Sequence, residues 1–161
     1  MLAIRRRKHW QELIIESKKI ETSKYYTPSL EEFYIGFECE FFNRMQENEW
    51  IKEMCDADTL SIALDSYEHG TIEWGDDFTQ TFRVKYLDRE DIESLGFKYC
   101  KESDLATIYS YKDYFIAYYN SGHISITEMG EMCRRDTILF NGRIKNKSEL
   151  KRILKMIGVI E

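Results

Sequence analysis

Long apolar runs are missing from this 161-residue chain, and no stretch approaches the roughly 18 consecutive apolar residues that a membrane-spanning helix needs. Proline occurs once and glycine eight times, which argues against a low-complexity or linker-rich protein and for regular structure. The glycines never cluster, so neither a phosphate loop nor a dinucleotide fingerprint is present. The four cysteines (Cys39, Cys55, Cys100, Cys133) are scattered, and no Cys or His pair has the close spacing of a structural zinc site. Cys39 and Cys100 fall in strand-like runs, where buried free thiols are the expectation. The early basic cluster Arg5-Arg6-Arg7-Lys8 is followed by a charged amphipathic segment and not by the apolar core of a signal peptide. A formal net charge of −6 weighs against non-specific nucleic-acid binding, which depends on neutralising phosphates.

What the chain does hold is aromatic surface: 14% of its residues, eleven of them tyrosines. A single domain over 1–161 accommodates this length, read as an N-terminal helical segment (1–26) and a sheet-rich body (27–161). Trp10, Leu13, Ile14 and Ile20 give residues 3–24 a helical stripe. Phe33, Ile35, Phe37, Cys39 and Phe41 alternate with polar neighbours and predict a strand, with Gly36 as a bulge or close approach. Residues 50–54 supply its partner. Leu60, Ala63, Leu64 and Tyr67 predict a helix over 56–70, capped by Asp58 and stopped by Gly70. A short strand at 71–74 and a turn at 75–77 follow.

From residue 82 the signals sharpen. Phe82, Val84 and Tyr86 alternate with Arg83 and Lys85, as a half-buried strand requires. Asp88 caps a short helix that Gly96 ends, and Phe97 returns to strand. Residues 106–111, 114–119 and 123–127 read as strands. Asn120-Ser121-Gly122 closes the last two into a hairpin that pairs Tyr118 with Ile124 and Ile116 with Ile126 on an apolar face, leaving Tyr119 beside His123 on the other. Residues 128–136 read as loop. Asn141-Gly142 suits a tight turn and predicts a second hairpin between 137–140 and 143–145. Asn146 then caps a C-terminal helix with the core stripe Leu150, Ile153, Leu154 and Ile157. The fold class is α+β: a largely antiparallel sheet of hairpins with N-terminal, short central and C-terminal helices packed on it.

Three motifs, Tyr34-Ile35-Gly36-Phe37-Glu38, the run from Arg83 to Phe97, and Ile144 to Lys151, resemble small uncharacterised proteins encoded by phages and prophages of gut bacteria. The resemblance covers most of residues 34–160 and brings no activity. It implies a phage accessory protein in the cytoplasm of a bacterial host.

No catalytic constellation, metal site or cofactor is expected. His123, Ser125 and Tyr119 share a sheet face as a polar surface. Glu38 and Glu40 share another, about 7 Å apart by strand rise, with Asp76-Asp77 as further acids. An aromatic ring beside an arginine is how proteins stack on a base while holding its phosphate, and also how interface hot spots are built. The candidate ligand-binding residues on that ground are Trp74, Arg83, Lys85, Tyr119, His123, Arg134 and Arg143. The leading expectation is a non-enzymatic binding protein that serves counter-defence, sequestering a nucleotide-like signal or engaging a host protein, with no membrane role. The alternatives are a metal-dependent phosphodiester or nucleotide hydrolase built on Glu38 and Glu40, and a virion or assembly protein that forms homo-oligomers.

Overall fold

The computed structural model describes residues 24–43, 49–69, 81–130 and 136–161. The helix expected over 3–24 and the strand and turn at 71–77 lie outside the described residues. The chain divides into two compact units, Met1–Tyr86 and Leu87–Glu161, each with its own antiparallel sheet and core. The fold is therefore α+β, and no helix among the described residues is long and apolar enough to cross a membrane.

The first unit carries β1 (Tyr25–Tyr26), β2 (Glu38–Asn43), β3 (Glu49–Met54), α1 (Ala57–His69) and β4 (Phe82–Lys85), with the strands ordered β1-β4-β2-β3. Tyr25 and Tyr26 pair with Lys85 and Val84, so the helical segment expected to run to residue 26 ends in strand. The alternation from Phe33 to Phe41 overstates β2. Leu30–Glu32 is a turn of 3-10 helix, the Phe37 amide bonds back to the Tyr34 carbonyl at 2.9 Å, and Gly36 takes a left-handed φ of 93° in that turn. Ile35 consequently points to solvent, 70% exposed. A β-carbon on Gly36 would meet nothing within 4 Å, so the glycine serves turn conformation and not close approach. The cap of α1 is Asp56, not Asp58: its Oδ1 accepts from the Thr59 amide at 2.8 Å and the Thr59 hydroxyl at 2.9 Å. Those bonds pull the Asp56 carboxyl below its ordinary range.

The core of this unit is Phe33, Phe37, Cys39, Cys55, Ala63, Phe82 and Val84. Phe33 meets Phe82 edge-on at 5.1 Å between centroids. Burial is the main cause that pushes the Cys39 thiol up to about 12, with the charges of Cys55 and Glu53 adding to it. The thiol is therefore protonated where the unfolded chain, at its ordinary 9.0, begins to ionise. Its contribution to stability is full below pH 9 and is lost as pH rises toward 12. A urea midpoint that falls across that range in the native protein is expected to fall less in Cys39→Ala; equal slopes would show that the thiol tolerates charge.

The second unit carries α2 (Arg89–Ser94), β5 (Lys98–Glu102), β6 (Ala106–Tyr111), β7 (Tyr114–Tyr119), β8 (His123–Glu128), β9 (Thr137–Arg143) and α3 (Lys147–Met156). Its five strands follow one another in chain order as an antiparallel meander. The Asp88 cap of α2 receives the Asp91 amide at 3.1 Å. The β7–β8 hairpin has the expected register, Tyr118 with Ile124 and Ile116 with Ile126, and Gly122 sits at φ 77°. The Asn141-Gly142 hairpin does not form. β9 runs straight through both residues, which pair with Ser125 and Ile124 of β8, and neither has the positive φ that a type I′ turn demands. Gly142 instead makes room for a ring, since a β-carbon there would lie 2.9 Å from Phe140 Cζ. Cys100 is exposed, contrary to expectation. It is the extra residue of a bulge in the edge strand β5, and its Sγ lies 3.0 Å from Ser110 Oγ.

One side of this sheet is filled. Tyr109, Ile116, Ile124 and Ile126 pack with Ile92 of α2 and Leu150 and Leu154 of α3. The opposite side carries the alternate residues, and that side bears the candidate site.

Candidate functional site

Two groups of the candidate residues form, one in each unit. Trp74 and Arg134 lie outside the described residues.

In the first unit Arg83 and Lys85 point away from the core, since Phe82 and Val84 alternate with them into it. Register places Glu40 opposite Arg83 and Tyr25 opposite Lys85. The Arg83 Nε donates to Glu40 Oε2 at 2.7 Å, and the two side chains retain only 17% and 9% of their exposure. The guanidinium carbon lies 3.9 Å from the Tyr25 ring centroid and 4.2 Å from that of Trp50. Strand order puts those rings on opposite sides of β4, so the cation is held from both directions. The Tyr25 hydroxyl also bonds to Glu40; burial first, and the Glu40 charge second, raise its pKa and keep it protonated. This cluster answers its own charges. Glu40, read from sequence as one half of a solvent-facing carboxylate pair, is 7% exposed and engaged by an arginine and a tyrosine. A divalent ion would have to displace Arg83 to reach it, which weighs against the hydrolase alternative. No group of three or more metal-ligating side chains occurs among the described residues.

In the second unit Tyr119, His123 and Arg143 come together on the sheet face turned from the core. His123 pairs with Arg143 across β8 and β9, and the Tyr119 and His123 rings meet edge-on at 6.0 Å between centroids. The His123 Nε2 donates to Asn141 Oδ1, which fixes the imidazole against the sheet and leaves the Tyr119 ring 36% exposed. Arg143 is exposed and has no carboxylate partner among the described residues. The corner thus offers an aromatic ring, a cation with its hydrogen-bond donors, and an oriented imidazole.

Sequence reasoning missed Asn141, because its pairing with Gly142 suggested a turn; nothing local signals its place beside His123. Trp50 was missed likewise, as its approach to Arg83 depends on the pairing of β2 with both β3 and β4. When the chain is compared with known protein families, curated proteins and solved structures, none of them matches it, and the chemistry of these two clusters is what bears on function.

Proposed function

We propose that this protein is a non-enzymatic binding module for a nucleotide-like anion, held at the Tyr119, His123, Asn141 and Arg143 corner. In keeping with the resemblance of its motifs to phage and prophage proteins, it acts as a phage accessory protein inside a bacterial host, withholding a signal from the host's defence. The observation that carries the reading is the exposed Tyr119 ring beside an arginine with no carboxylate partner among the described residues. A base stacks on the ring while its phosphate is met by a charge-assisted hydrogen bond. The Arg83 cluster has the same residue types, but its cation is already bonded to Glu40 and flanked by two rings.

Calorimetric titration with nucleoside mono-, di- and triphosphates and cyclic dinucleotides tests the reading. At least one class is expected to bind, and Arg143→Ala to weaken it about tenfold or more, as loss of one charge-assisted contact implies. Binding that ignores Arg143→Ala, or none by any of these anions, would overturn the assignment.

A further inference from the structure

The same face of the second unit extends well beyond that corner, and its charge is of one sign. Register sets out the residues turned from the core: Lys98, Cys100 and Lys101 on β5; Ala106, Ile108 and Ser110 on β6; Phe115, Ala117 and Tyr119 on β7. His123, Ser125 and Thr127 continue it on β8, and Ile138, Asn141 and Arg143 on β9. All except Ala106 are exposed or half-buried, so the face is open. No carboxylate stands among these residues. In a chain of net charge −6, a five-stranded face whose only full charges are Lys98, Lys101 and Arg143 departs from the whole, and none of the three has a carboxylate partner among the described residues. The cations lie at the two edge strands, about 19 Å apart across four strand spacings. Between them run neutral side chains, with Phe115 and Tyr119 on one strand about 13 Å apart by strand rise.

We infer that this face is a platform for single-stranded nucleic acid. Bases stack on Phe115 and Tyr119, and phosphates are met by Lys98 and Lys101 at one edge and Arg143 at the other. The inference rests on the nucleotide-anion reading of the Tyr119 corner and extends it from one nucleotide to a strand. A sheet face bearing aromatics between basic rims suits unpaired bases, which present their π-faces, whereas a duplex hides them. The net charge of the chain is a poor guide here, because screening shortens the reach of charges beyond a Debye length, while the side chains of the face itself are neutral or cationic.

The test is fluorescence anisotropy of a labelled single strand of about 12 nucleotides titrated with the full chain, beside an identical duplex, a mononucleotide and an acidic peptide. The single strand is expected to bind at least tenfold more tightly than the duplex or the mononucleotide. Its log affinity should fall by about 2 per tenfold rise in salt, as three phosphate contacts on a single strand imply. The double charge reversal Lys98→Glu with Lys101→Glu lies on an exposed edge and should leave the circular dichroism unchanged; it is expected to cost the strand at least tenfold and the mononucleotide nothing. Phe115→Ala should weaken the strand about tenfold. If the mononucleotide binds through Arg143 while the strand binds no tighter and ignores Lys98 and Lys101, the platform is refuted and the corner stands. If neither binds, both fall. Preference for the acidic peptide would reassign the face to a protein partner.

Discussion

Arg83→Met is expected to destabilise the first unit by about 3 kcal/mol, because it strands the Glu40 carboxylate in a nearly buried position. Glu40 is 7% exposed and lies on β2 directly opposite Arg83 on β4, so without the arginine its carboxylate has little water to answer it. The Tyr25 hydroxyl remains as a donor but brings no positive charge. The informative comparison is with the apolar replacement Arg83→Met, Glu40→Leu, Tyr25→Phe, in which no buried polar group is left unanswered. That variant is expected to return to within about 1 kcal/mol of the native protein, since desolvation nearly cancels the attraction within a buried ion pair. Urea unfolding followed by tryptophan fluorescence measures both. A loss below about 0.5 kcal/mol for Arg83→Met would mean that water screens the pair as it does a surface salt bridge. Failure of the triple replacement to recover would mean that the cation's contacts with Tyr25 and Trp50, and not the charge balance, carry the stability.

That cluster also marks where the sequence stops being legible. The elements readable in advance are those whose chemistry is local. Asp88 bonds an amide three residues on, Asn146 does the same for Glu149 at 2.8 Å, and Gly122 sits where a three-residue loop needs a left-handed residue. The β7–β8 register follows from that loop. Arg83 and Glu40, in contrast, are 43 residues apart, and their meeting depends on β4 inserting between β1 and β2. No periodicity encodes that insertion. The errors have the same origin. Asn141-Gly142 carries the chemistry of a turn, but β8 pairs with both residues and the Phe140 ring occupies the space a side chain at 142 would need, so tertiary pairing overrides local preference. Phe33 to Phe41 alternates like a strand throughout, yet a left-handed glycine breaks it at Gly36 and turns Ile35 outward. Of the candidate site, Tyr119 beside His123 was legible from the hairpin. Asn141 was not, since its place depends on β9 running through that residue to pair with β8, and the single-signed face was not, since it needs the order of all five strands.

The two sides of the second sheet should therefore respond to substitution in opposite ways. Leu154→Ala is expected to cost about 2–5 kcal/mol, the range for deleting a fully buried leucine from a packed core. Leu154 is 0% exposed and belongs with Leu150 of the same helix to the cluster that includes Ile116, Ile124 and Ile126 at the centre of the sheet. The residues that follow this helix turn back onto it: the Val159 amide bonds to the Leu154 carbonyl at 2.9 Å, and buried Val159 joins the same cluster. Little freedom remains for the site to collapse around the cavity, which favours the upper half of that range. Lys98→Ala on the other side is expected to change stability by no more than about 0.5 kcal/mol, because its side chain is exposed and unpaired by carboxylates among the described residues. Equilibrium unfolding of the two variants under one set of conditions measures the contrast. Equal and small effects would mean that α3 does not seal the core side of the sheet. A large loss from Lys98→Ala would mean that the outward face is itself structural, in which case its open, basic surface could not be set aside for a ligand.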